Sequence, residues 1–109
     1  MSTIDRRTGG DRRTAPRFNV NINVEWEASV GRKKGVVNDI SHEGCFVLSS
    51  GEVEDGERVL LFFPLTDGIK VLFTSEVVNH IYEIGFGVRF LELSGAQKEF
   101  LTKLIDSLK

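Results

Sequence analysis

In the stretch Phe18 to Trp26, FNVNINVEW, every second residue is apolar: Phe18, Val20, Ile22, Val24 and Trp26 alternate with Asn and Glu. Side chains on an extended strand point to opposite faces in turn, so this pattern makes a strand with one dry side and one wet side. Such a strand must lay its dry side against other strands, and the sequence supplies them. After a turn near Gly31, KGVVNDIS and CFVLSS read as two strands around a polar break at Ser41 to Gly44. ERVLLFFPL and IKVLFTSEVVNHI follow, parted by TDG, and then EIGFGVRFLEL. Six short β segments with little between them predict a closed or nearly closed antiparallel barrel, a mainly β fold.

The tail changes period. In SGAQKEFLTKLIDSLK, residues Phe100, Leu101, Leu104, Ile105 and Leu108 recur at helical spacing, and Ser94 with Gln97 three positions later forms a capping box. One C-terminal amphipathic helix is expected to lie on the barrel, with a docking face for a partner as the other use of its stripe. At 109 residues and 40% hydrophobic content the chain can fill one core and not two.

Charge is unevenly placed. Formal net charge is −2, yet residues 1 to 17 carry Arg6, Arg7, Arg12, Arg13 and Arg17 against Asp5 and Asp11, which is +3 and leaves −5 for the rest. Within this arm the tetrapeptide DRRT occurs at 5 to 8 and again at 11 to 14, parted by Gly9 and Gly10. An arm so polar cannot bury itself and is expected to be flexible, with residues 1–11 as arm and 12–109 as the folded domain. A cationic arm on an acidic body points to a local anionic partner, since a DNA-coating protein would be basic across a whole face.

Several chemistries are disfavoured. One cysteine, Cys45, leaves no internal disulfide and no multi-cysteine zinc site. His42 and His80 stand 38 positions apart with no partner at metal-ligand spacing, so no metal site is expected. Ser41 beside His42 lacks the orienting third group of a catalytic triad, and GFGVRF lacks the glycine pattern of a phosphate loop. Cys45, inside CFV, reads as a small buried residue. No catalytic residue is assigned. Neither a signal peptide nor a run of roughly 20 apolar residues is present, so no membrane insertion and a cytoplasmic location are expected.

A binding signal remains. Arg13 and Arg17, four apart around Pro16, offer two planar forks that can hold a phosphate or a guanine edge. In NDISHEG, residues 38 to 44, Asp39 can accept from a guanine edge, Ser41 can bond a phosphate or the backbone, and Gly44 allows a positive φ or close approach of a ligand. The plainer reading of DISHEG is a strand-to-strand turn with Asp39 and Ser41 satisfying backbone groups, and that of DRRTAPR is a solvated tail.

Taken together, the two segments resemble a PilZ domain, the bacterial receptor module for cyclic di-GMP. RTAPR matches the family's RxxxR motif through Arg13 and Arg17; DISHEG matches its D/N-x-S-x-x-G motif through Asp39, Ser41 and Gly44; and GVRF at 87 to 90 resembles its late strand. The resemblance implies a six-stranded PilZ-type β-barrel and a nucleotide-binding protein of bacterial second-messenger signalling with no enzymatic activity or cofactor. Arg13 and Arg17 would grip phosphates and guanine edges, Asp39 and Ser41 would contact guanine and phosphate, and Gly44 would shape the turn. Arg12, just before the first motif arginine, would accompany a stacked pair of ligands. The ligand would order the arm, and a downstream protein partner would receive the signal through the helix or the ordered arm. Two other readings stand beside this one: a PilZ-like adaptor that binds protein and no nucleotide, and a small-barrel binder of single-stranded nucleic acid, which the acidic body disfavours.

Overall fold

The computed structural model describes residues 16–65 and 68–108. The expected flexible arm, Arg12 and Arg13 lie outside the described residues. Six strands follow in chain order: β1 (Phe18–Ala28), β2 (Gly31–Ile40), β3 (Gly44–Leu48), β4 (Arg58–Pro64), β5 (Lys70–Ile81) and β6 (Gly85–Phe90), then helix α1 (Gly95–Asp106). All neighbours are antiparallel, and the sheet closes in the order β1-β2-β3-β6-β5-β4. Closure gives every strand a hydrogen-bonded neighbour on each side, the closing β1–β4 contact being a short one at Glu25, Trp26 and Glu27.

The alternation in β1 is kept: Val24 and Trp26 are buried, Phe18, Val20 and Ile22 half-buried, and Asn19, Asn21 and Asn23 exposed. Inside the barrel Trp26 meets Phe86 edge to face at 4.9 Å and Phe63 meets Phe73 at 5.2 Å, the offset geometry that aromatic quadrupoles favour. The polar atoms carried inward are satisfied. Trp26 Nε1 donates to Ser49 Oγ at 3.1 Å, which donates to the Lys34 carbonyl at 2.9 Å, and buried Ser75 donates to the Val59 carbonyl at 2.8 Å.

Helix α1 starts at the expected capping box, with the Ser94 side chain accepting from Gln97 N–H and the Gln97 side chain accepting from Ser94 N–H. Most of its apolar stripe is spent within the molecule: Leu101 and Ile105 are buried, and the Phe100 ring lies 5.9 Å from both Phe63 and Phe73, while Leu108, past the end of the helix, is exposed. Among the described residues no helix is long and apolar enough to cross a membrane.

Candidate functional site

The two motifs lie far apart in sequence, and β1–β2 pairing brings their described parts together. Phe18 stands opposite Ile40 and Asn19 opposite Asp39, so Arg17, one residue before β1, reaches the outward side of β2. There its Nη2 donates to Asp39 Oδ1 in an ion pair. The pair is open to solvent, with Arg17 44% and Asp39 23% exposed.

A β-bulge aims Asp39. Strict alternation from buried Val37 would turn Asp39 into the barrel and Ile40 out. The β2–β3 register instead shifts between Val37 and Asp39, so Ile40 is buried and the carboxylate faces water. An extra residue in one strand re-aims the side chains that follow it.

The β2–β3 turn is tightly built. Ser41 is buried, and its N–H donates to the Gly44 carbonyl at 2.9 Å. Its hydroxyl accepts from the N–H groups of Glu43 at 3.0 Å and Gly44 at 3.3 Å. From the neighbouring strand, Phe90 N–H donates to the Glu43 carbonyl at 2.8 Å. Ser41 thus serves the backbone of its own turn, the plainer of its two expected uses. His42, beside it, is exposed.

Gly44 corrects one expectation: it is not among the residues of positive φ, and what requires glycine there is the protein itself. A Cβ on Gly44 would lie 2.0 Å from the Val88 carbonyl oxygen, because β3 and β6 approach closely at this pair. Cys45 follows, fully buried beneath the turn as expected. Burial pushes its thiol pKa well up, the Asp39 charge adds to that, and Arg17 opposes it.

Sequence reasoning gave no part to Phe46 and Arg89, which the pairing places beside these residues. Phe46 stands opposite Asp39, and Arg89 opposite Gly44. Arg89 is 61% exposed and held by Glu76, Nη2 to Oε1 at 2.6 Å, across the β5–β6 pair. Only the strand register could have found them, since nothing local in GVRF or CFV indicates which residues lie alongside.

In chemical terms the described residues offer the guanidinium forks of Arg17 and Arg89, the Asp39 carboxylate and the half-buried Phe46 ring. That set suits a ligand with both anionic and hydrogen-bonding edges. Among the described residues no group of three or more His, Cys, Asp or Glu side chains is placed to hold a metal ion.

The PilZ domain family model matches residues 11–107. No curated protein sequence matches the chain. Among solved structures, the PilZ domain of YcgR from Escherichia coli, solved with c-di-GMP, superposes with a TM-score of 0.75 at 17% identity, covering 90% of this chain and 92% of that one. The PilZ domain of CeSA from a cellulose-synthesizing bacterium gives 0.67 at 21% identity, covering 85% and 97%. The MrkH–c-di-GMP complex of K. pneumonia gives 0.72 at 17%, covering 90% of this chain and 52% of that one, so this chain spans about half of MrkH. At these identities the likeness is one of fold, and it is the family match over nearly the whole length, joined to the barrel closed in the order found here, that makes this chain a member of the PilZ domain family.

Proposed function

We propose that the chain is a receptor for cyclic di-GMP, binding it on the outward face where β1 begins and β2 ends, with Arg12, Arg13, Arg17, Asp39, Ser41 and Gly44 forming the site. The observation that carries this reading is the Arg17–Asp39 ion pair, which joins the first motif to the second on an open face. Arg12 and Arg13 precede Pro16 by only a few residues, close enough in chain length for their guanidinium groups to reach a ligand seated on Asp39. Support also comes from the YcgR and MrkH structures, whose ligand is c-di-GMP.

In this reading Asp39 accepts from a guanine edge and the arginines take phosphates and stack on bases. Ser41 and Gly44 act through the turn, one by holding its N–H groups and the other by letting β3 and β6 close behind it. Charge-assisted hydrogen bonds contribute about 1.5 to 3 kcal/mol each, against about 1 to 2 kcal/mol for each residue ordered. A few such bonds therefore offset the ordering of several arm residues, and ligand binding becomes a conformational signal passed to a partner protein.

The test is an isothermal titration of cyclic di-GMP into the wild type, Arg13→Ala and Asp39→Ala. Saturable binding that collapses in both variants is expected. Absence of heat with a folded wild type would transfer the protein to the adaptor reading.

A further inference from the structure

At the end of the barrel away from Arg17 and Asp39, three connections meet: the β1–β2 turn, the loop from β3 to β4, and the β5–β6 turn. They surround an open cleft of about 820 Å³. Its walls are fastened to one another. The Glu57 carboxylate accepts from Ser29 N–H at 3.1 Å, Ser29 Oγ at 2.6 Å and Glu54 N–H at 3.0 Å. Gly56 N–H donates to the Val77 carbonyl at 2.7 Å, and Ser49 N–H to the Ile84 carbonyl at 3.0 Å. A cleft tied together in this way exists before anything enters it.

What the cleft shows to water is partly apolar and partly acidic. Val30, Ile81 and Tyr82 line it and are 45%, 51% and 69% exposed, and Ile84, 52% exposed, closes the same β5–β6 turn. Single exposed apolar residues are ordinary; several around one concavity, with a tyrosine standing out among them, have the character of an interaction surface. The rim sets the sign of the partner. Glu52, Glu54, Asp55 and Glu83 line the cleft too, and among the described residues no Lys or Arg does. Asp55 faces His80 at 3.5 Å, whereas Glu52, Glu54 and Glu83 form no ion pair among the described residues.

We propose that this cleft docks a segment of a partner protein in which Lys or Arg residues flank apolar side chains. The apolar groups would rest between Val30, Ile81 and Tyr82, and the cations would meet Glu52, Glu54 and Glu83. This goes beyond the receptor reading and does not depend on it. Strands β3 and β6 each run from the Arg17–Asp39 end to the cleft end, a span of roughly 16 to 20 Å, so nucleotide and partner could be held together without sharing residues.

The test uses the full chain and a 15-residue amphipathic probe peptide with Leu on one face and Lys on the other, beside a twin with Glu in place of Lys. Peptide anisotropy gives affinity, and amide chemical shifts of the labelled protein give location. The expected result is binding of the Lys peptide alone, with shifts confined to residues 29–30, 51–57 and 80–84. Tyr82→Ala, at a side chain too exposed to matter for folding, should weaken it about tenfold or more. Glu52→Lys/Glu54→Lys/Glu83→Lys should abolish it. The proposal is overturned by absence of binding, by equal binding of the Glu twin, or by shifts mapping to α1 or the sheet face. Self-association of the chain in sedimentation that disappears in Tyr82→Ala would assign the cleft to a second copy instead.

Discussion

Gly44 and Ser41 have structural roles that can be separated from the ligand-binding role proposed for their motif. Adding a methyl at Gly44 drives it into the Val88 carbonyl, a backbone atom with no rotamer to escape through. Gly44→Ala should therefore lose about 1 to 3 kcal/mol of stability even without ligand, read from urea unfolding. Ser41→Ala removes the buried hydroxyl that accepts from the N–H groups of Glu43 and Gly44 and should cost about 1 to 3 kcal/mol. Arg17→Ala is the contrast. Its ion pair is exposed and such pairs contribute about 0 to 1 kcal/mol, so stability should barely change while cyclic di-GMP binding is lost in the titration. Equal stability losses in all three would mean that the motif is structural throughout. Cys45 adds a pH signature. Its folded pKa is raised, so the folded state holds a proton that the unfolded thiol gives up above its ordinary value of about 8.5. The stability contribution is whole below that pH and falls as pH rises beyond it. Unfolding midpoints from pH 7.5 to 10 should decline more steeply in the wild type than in Cys45→Ala.

At the scale of elements, strands and helix were legible because their signals are local. The alternation of FNVNINVEW, the polar breaks and the Ser94–Gln97 box are each contained in a dozen residues or fewer, and each became the element it indicated. The bulge that turns Asp39 outward was not legible in the same way. It is a relation between β2 and β3, and its one trace in the sequence is the spacing of Val37 and Ile40, three apart where alternation wants two. The reason for Gly44 was hidden likewise, since its conflict lies with β6, more than forty positions on. Glu57, also invisible in a linear reading, ties the β1–β2 turn to the β3–β4 loop. Hydrogen bonds from Ser29 lower its carboxyl pKa, helped by the Glu54 backbone N–H. Its stabilisation is thus complete above the ordinary glutamate pKa, about 4.3, and is lost as pH falls through the lower folded value. Glu57→Gln should flatten the acid limb of the stability profile measured by thermal unfolding between pH 6 and 3. An unchanged limb would place the acid sensitivity elsewhere.

The whole chain joins an acidic barrel to a basic N-terminal sequence, and under the proposed receptor reading the number of ligands bound is a property of the assembled site. Any ligand that binds only the folded state raises unfolding free energy by RT ln(1 + [L]/Kd), so well above Kd each tenfold increase in ligand adds about 1.4 kcal/mol for one bound molecule. Two molecules stacked in the site would double that slope, to about 2.7 kcal/mol per decade. Unfolding in urea at a series of cyclic di-GMP concentrations therefore counts ligands through stability alone, independently of heat or of the active fraction of the protein. If Arg12 accompanies a stacked pair, the wild type should show the doubled slope and Arg12→Ala the single one, with the m value, and so the surface exposed on unfolding, unchanged. A wild-type slope already at the single value would remove Arg12 from that role and leave it, with Arg6 and Arg7, as part of the general positive charge that draws an anion toward the barrel.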